Sequence, residues 1–255
     1  MNQRISERYS GRVAFVTGGG AGIGKEVCLR LASEGASIAI VDYDENSAVE
    51  VSELINTTGG RAIAIAADVS NFDAMQLAVN QTIEAYGQLD VAVNNAGIGG
   101  PFAPLAEQEL ETWSRVIAVN LTGVFNSMKA QLPRMSEKGG AVINIASITS
   151  LVGVAGVSPY VAAKHGVLGL TRTAALEYGK YGVRVTAVCP TFIRTALTSS
   201  EFNTDSHWDE MDALHPLGHC AKTTDVAAVV AFLGSDDAKM ITGCAYPVDG
   251  GITAA

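Results

Sequence analysis

An apolar run, Arg12-Val13-Ala14-Phe15-Val16, leads directly into Thr17-Gly18-Gly19-Gly20-Ala21-Gly22-Ile23-Gly24, and Lys25 to Ala32 then return apolar side chains at helical spacing. A second apolar run, Ser37 to Val41, ends in Asp42, 18 residues beyond Gly24. Strand, glycine loop, helix and strand in this order admit few folds, because two parallel strands need a crossover and the crossover is right-handed. Each part also has a chemical use. Glycines allow a tight turn and close approach of the backbone to a ligand, and the helix N-terminus behind them attracts pyrophosphate. An acidic residue at the end of the second strand accepts hydrogen bonds from the adenosine ribose hydroxyls and repels a 2′-phosphate. The spacing Gly18-x-x-x-Gly22-x-Gly24 is not the usual G-x-G-x-x-G, so the loop gains its meaning from the strand and Asp42 that follow it.

The alternation continues without a linker or repeat. Arg61 to Ala67 reads as a third strand ending at Asp68-Val69, Phe72 to Tyr86 as a helix, and Leu89 to Val93 as a fourth strand running into Asn94-Asn95-Ala96-Gly97. One helix is expected from about Glu107 to Pro133, followed by a strand over Ala141 to Ala146. Another helix is expected after Ser158-Pro159, with Ser158 as N-cap and the proline in the first turn. Gly182 to Pro190 reads as a sixth strand, Thr223-Thr224-Asp225 opens a last helix, and Ala245 to Val248 is a seventh strand. Crossovers on either side of the first strand give an α/β doubly wound parallel sheet, order 3-2-1-4-5-6-7, with helices on both faces. The 255 residues are expected to form one domain. Residues from about 191 to 220 break the alternation and carry Phe202, His207, Trp208, Met211 and Leu214. A long excursion of this kind is expected to be a substrate lid.

Composition narrows the class of partner. A formal charge of −9 leaves no basic stripe to offset phosphate repulsion, which argues against nucleic acid. No apolar run approaches the roughly 20 residues that span a bilayer, and Met1 to Glu7 lacks an apolar signal core. A cytoplasmic protein with no membrane partner is expected. Cys28, Cys189, Cys220 and Cys244 show no paired spacing, and the first two read as small buried hydrophobes. His215, His219 and Cys220 invite a zinc reading, but Pro216 lies among them and no second ligand pair is apparent, so no metal is expected.

Tyr160 and Lys164 stand one helical turn apart on one face, placing a phenol beside an ammonium group. A nearby positive charge favours phenolate and so lowers the tyrosine from its ordinary value of about 10. Ser147 sits at the end of the preceding strand, and strand ends in parallel sheets are where ligands bind. Taken alone, the pair could equally be ordinary helix-surface residues.

Taken together, the glycine pattern of Thr17 to Gly24, Asn94-Asn95-Ala96-Gly97, Ser147 thirteen residues before Tyr160, Tyr160-x-x-x-Lys164 and the ending Pro247-Val248-Asp249-Gly250-Gly251 resemble the short-chain dehydrogenase/reductase family. The resemblance implies a Rossmann-type domain and reversible hydride transfer between a secondary alcohol or ketone and a nicotinamide. It implies Tyr160 as general acid/base, Ser147 as the hydrogen-bond donor to the substrate oxygen, and Lys164 as the group that lowers the tyrosine and binds the nicotinamide ribose. Asn120 would complete the proton path through a held water; an asparagine bonding backbone is the other reading, and the two are compatible. Cofactor contacts are implied at Gly18, Gly22, Ile23, Gly24, Asp42, Asp68, Val69, Asn95, Ala96, Gly97, Tyr160, Lys164, Pro190, Ile193 and Thr195. Asp42 selects NAD over NADP; NADP-using relatives often carry a basic residue where this chain has Ala21, and Lys25 should point away from the ribose.

One position departs from the pattern, since the family usually has glycine where this chain has Thr191. Ser147, Thr149, Tyr160 and Phe192 are the expected substrate contacts. With Ile148, Val154, Phe102 and Leu197 they suggest an apolar pocket suited to a neutral ketone. The family further implies a homotetramer, with which the apolar positions Val167, Leu168, Leu170, Ala174 and Leu176 are compatible. Two alternatives remain open. One is a 3-oxoacyl-thioester reductase of fatty-acid synthesis, against which the acidic balance and Asp42 weigh. The other is a non-catalytic dinucleotide-binding protein, in which the Tyr or Lys is usually lost.

Overall fold

A computed structural model describes residues 7–195, 197–198 and 204–254. Seven parallel strands, β1 (Val13–Thr17), β2 (Ser37–Asp42), β3 (Arg61–Ala66), β4 (Val91–Asn94), β5 (Gly140–Ile145), β6 (Val183–Pro190) and β7 (Ala245–Val248), form one sheet. Its order, β3-β2-β1-β4-β5-β6-β7, is the one the alternation predicts. All five residues of β1 are buried, as expected of a strand covered on both faces. Side chains alternate between the two faces. Ala14, Val16, Ile38 and Ile40 join one core with Val27 and Leu31 of α1 (Gly22–Ser33), Val51 and Ile55 of α2 (Glu45–Thr57), and Val226 and Val230 of α8 (Thr223–Leu233). Phe15, Ala39 and Val41 face the other core with Met75 of α3 (Phe72–Tyr86), Met128 of α5 (Gly123–Met135), and Val167 of α6 (Ser158–Tyr178).

Three boundaries differ from the sequence reading. The single helix expected over residues 107–133 is α4 (Leu110–Ile117), a π turn (Ala118–Thr122) and α5. Ser158 is already helical and Val157 is the N-cap of α6, leaving Pro159 in the first turn where its missing N–H has no cost. The excursion after β6 is not wholly irregular: it contains α7 (Asp205–Ala213). Phe202, expected in the lid, lies outside the described residues. Among the described residues, no helix is long and apolar enough to cross a membrane.

Tyr9 precedes the sheet and is fully buried (0%), its hydroxyl donating to the Ala231 carbonyl oxygen at 2.6 Å. Glu34, at the end of α1, pairs with Arg8 (2.7 Å) and Arg30 (2.5 Å). The segment before β1 is thereby tied to α1 and α8.

Candidate functional site

The glycine loop meets the ends of β1, β2 and β4 at the C-terminal rim of the sheet. Gly18 and Gly22 have positive φ of 62° and 53°, a region open to glycine at little steric cost. A Cβ on Gly18 would approach Ala96 Cα to 2.9 Å, and one on Gly24 would collide with the Gly18 carbonyl oxygen. The loop therefore packs backbone against backbone. Ala21 caps α1 without a side-chain hydrogen bond, and the first turn holds no acidic residue. The N-terminal N–H groups, which carry the positive end of the helix dipole, so face the rim with no carboxylate of their own helix.

The motifs contain Thr17 and Asn95, but nothing in them pairs the two. The Thr17 hydroxyl oxygen accepts from the N–H of Asn95 (3.0 Å) and of Ala96 (3.1 Å), and Asn95 Nδ2 donates to the carbonyls of Thr17 and Gly18, both at 3.0 Å. Asn95, expected as a cofactor contact, thus has its amide committed to the loop, holding β4 and the glycine turn in register. Gly97 lies next to Asn120, whose Oδ1 would be 3.3 Å from a Cβ there.

Asp42 stands at the end of β2, where its Oδ2 accepts from the Gly20 N–H at 2.8 Å and its Oδ1 from the Asp44 N–H at 3.1 Å. The carboxylate is only half-buried and borders the glycine loop, as a ribose-binding acid should. Asp68 has one carboxylate oxygen engaged by the N–H and the hydroxyl of Ser70, both at 2.8 Å. The Val69 side chain is buried against Gly123, and its carbonyl accepts from Asn126 Nδ2 at 3.0 Å.

On the other side of the rim, Pro190 is buried and Ile193 is 5% exposed. Thr198 Oγ1 donates to the carbonyl oxygens of Ile193 (2.7 Å) and Thr195 (3.0 Å), closing this turn on itself. A Cβ on Gly22 would meet Thr195 Cγ2 at 3.5 Å. The glycine loop and the Thr195 turn face each other, and a side chain on Gly22 would fill the space between them. That opening, with uncapped N–H groups on one side and a carboxylate at the end of β2, fits a dinucleotide. Bound there, the residues placed to hold it are Gly18 to Gly24, Asp42 and the turn of Ile193 and Thr195.

Ser147, Tyr160 and Lys164 meet between the end of β5 and α6. Ser147 is 8% exposed; its Oγ accepts from the Thr149 N–H at 3.1 Å, and its side chain lies near enough to the Tyr160 phenol to draw it downward. Lys164 is 3% exposed, its Nζ donates to the Ile145 carbonyl oxygen at 2.8 Å and lies 5.5 Å from the Tyr160 ring centroid. Burial pushes the Tyr160 phenol up to about 12, opposed by the Ser147 side chain. Burial also pulls Lys164 down to about 8, opposed by the neighbouring Cys189. The expected lowering of the tyrosine by Lys164 is therefore not what this arrangement produces. Desolvation disfavours both charged forms, and the ammonium is held toward a carbonyl of β5.

Asn120 is fully buried in the π turn, accepting from the Ile98 N–H and donating to the Ile98 carbonyl oxygen, both at 2.8 Å. Its amide thus follows the backbone-bonding reading. Gln108, missed in the sequence, holds two loops beside the site: its Nε2 donates to the carbonyls of Ala103 (2.8 Å) and Gly156 (2.9 Å). The expected pocket residues divide by exposure. Ile148 and Thr149 are buried, Phe192 is half-buried, and Phe102 and Leu197 are exposed, packing toward Gly156 and Gly99 respectively. Cys28 and Cys189 are buried, as expected of small hydrophobes.

A family model described as enoyl-(acyl carrier protein) reductase matches residues 18–253. The chain is 43% identical to a cyclohexanol dehydrogenase from Acinetobacter sp. (strain SE19), over 99% of each chain. It is 37% identical to levodione reductase from Leifsonia aquatica, over 97% of this chain and 96% of that one. Among solved structures, carveol dehydrogenase from Mycobacterium avium in complex with NAD superposes with a TM-score of 0.94 at 30% identity, covering 98% of this chain and 100% of that one.

Proposed function

The chain belongs to the short-chain dehydrogenase/reductase family, and we propose that it is an NAD(H)-dependent oxidoreductase interconverting a secondary alcohol and its ketone, acting on a small or cyclic neutral substrate. The observation that carries this reading is the meeting of Ser147, Tyr160 and Lys164 beside a glycine cradle with an acid at the end of β2. When bound, the nicotinamide supplies the hydride acceptor or donor. The chain's own residues handle the proton and the geometry. Ser147 fixes the substrate oxygen and stabilises the charge that develops on it. Tyr160 gives its phenolic proton to a carbonyl oxygen during reduction and takes the hydroxyl proton during oxidation. A positioned proton donor typically contributes about 10²–10⁴-fold. Lys164 keeps the site cationic on the Ile145 side, and Asn120 holds the Ile98 backbone at the back of it.

A cyclic alcohol is supported by the relatives, whose names are cyclohexanol dehydrogenase and carveol dehydrogenase, and by apolar Ile148, Phe192 and Leu197. Selection of NAD is supported by Asp42, whose carboxylate would meet a 2′-phosphate with like charge, and by the NAD-bound relative. We further propose a homotetramer. The acyl-thioester alternative gains no support from the charge of −9, which would repel an acidic carrier protein.

The experiment is a panel of cyclic and small alcohols, ketones, charged sugars and acyl thioesters, run with both coenzymes. Turnover of neutral cyclic alcohols with NAD⁺ is expected, with Asp42→Ala narrowing the preference over NADP⁺ by about tenfold or more. Turnover confined to sugars or thioesters, or equal efficiency with NADPH and NADH in the wild type, would overturn the reading.

A further inference from the structure

Thr191 occupies the position where glycine is usual, and the fold gives it a partner. Its N–H donates to the Val248 carbonyl oxygen at 3.1 Å, and its Oγ1 lies 2.7 Å from His215 Nε2. Both residues are buried, at 9% and 3% exposure. His215 Nδ1 lies 2.7 Å from the Met211 carbonyl oxygen. A carbonyl can only accept, so Nδ1 donates to it, and Nε2 is left to pair with the Thr191 hydroxyl, which can donate or accept. A Cβ on Gly250 would come within 3.3 Å of His215 Cδ2, so the ring is also confined from the turn after β7.

Met211 lies in α7, so these two bonds, through the His215 ring, tie the turn leaving β6 to the C-terminal end of that helix. Two contacts tie the same turn to the other part of α7. The Arg194 guanidinium stacks 4.9 Å over the Trp208 ring and stands 3.7 Å from Asp205. Trp208 is buried, but the Arg194 and Asp205 charges are both exposed, and pairing between exposed charges contributes little. The Thr191–His215 bond is buried, where a partner lost leaves a polar ring nitrogen unsatisfied.

We propose that Thr191 and His215 form a positioning pair that couples the Pro190–Thr195 turn to α7, so that the fit for coenzyme and for alcohol are set together. The inference rests on the coenzyme reading above, which places the turn of Ile193 and Thr195 against the dinucleotide, and on the reading of the excursion that contains α7 as the substrate lid. Neither residue is assigned a chemical step; each acts through the segment it holds.

The test uses the full chain and reads the dissociation constant for NADH by fluorescence, with KM and kcat for the fastest alcohol of the panel. Thr191→Val keeps the branched shape and removes the hydroxyl. It is expected to raise both the NADH constant and the alcohol KM by about fivefold or more while kcat stays within about twofold. Thr191→Ser should restore both. The double variant Thr191→Val/His215→Leu should bind NADH no worse than the weaker single variant, because one interaction is lost only once. A fall in Tm with unchanged NADH binding and KM would reduce the pair to a structural bond and overturn the proposal, as would failure of the serine variant to restore. If Thr191→Val does not fold, Thr191→Ala and His215→Gln carry the same readouts and thresholds. A wild type that binds neither NADH nor NADPH overturns the coenzyme reading itself, a result distinct from variants that bind as the wild type does.

Discussion

Burial of Lys164 works against stability at neutral pH. Its folded value near 8 lies below the ordinary 10.5, so the unfolded chain binds the proton more tightly. The penalty is fully present below pH 8 and fades as pH rises toward 10.5, so stability climbs across that window. Lys164→Met should therefore keep or raise the unfolding free energy at pH 7, by an amount on the order of 1–3 kcal/mol less what the lost bond to Ile145 returns, and Tm with it. The gain should shrink toward alkaline pH, while kcat drops by about 10²-fold or more. Thermal melts across pH beside steady-state rates check this; a Tm loss at pH 7 equal to that at alkaline pH would sink it. The residue types at this site were legible in Tyr160-x-x-x-Lys164 and Ser147. Their titration was not, because adjacency on one helix face says nothing of how far both are desolvated, and desolvation is the largest cause of both shifts here.

At the scale of elements, α1 and its loop show how closely a helix can seat on a strand. A Cβ on Gly24 would meet Asn95 Nδ2 at 2.6 Å as well as the Gly18 carbonyl, and neither neighbour can yield without breaking the Asn95–Gly18 bond. Gly24→Ala should cost about 1–3 kcal/mol by overpacking and weaken NADH binding at least as much as it lowers stability. Denaturant melts with a coenzyme titration measure both; unchanged binding would refute the close-packing account. The start of α1 was legible because glycine clustering and helical periodicity are local signals. The interruption of the 107–133 helix was not. Periodicity runs on through Val116-Ile117-Ala118-Val119, whereas the π turn accompanies a tertiary contact, Asn120 with Ile98, 22 residues away. Such turns occur often at functional sites.

For the molecule as a whole, sheet order followed from alternation and crossover handedness. Assembly is a different matter. Leu105, Leu110 and Leu176 are 79%, 83% and 86% exposed, whereas Val167, Leu168 and Ala174 of the same α6 stripe are buried within the chain. Exposed apolar side chains of this size suit an interface between copies. Light scattering at micromolar concentration should give about four times the 26.4 kDa chain mass; a monomeric mass would remove the tetramer from the proposal.

Read alone, residues 12–42 dictate the dinucleotide-type opening, and the motif positions name the chemistry, since turns, periodicity and strand ends are written within a few tens of residues. Folding in three dimensions chose the polar partners: Asn95 with Thr17, 78 residues apart, and Thr191 with His215, 24 apart. A hydrogen bond acts over about 3 Å and leaves no periodic trace in the chain. Which donor finds which acceptor is settled only when the elements pack.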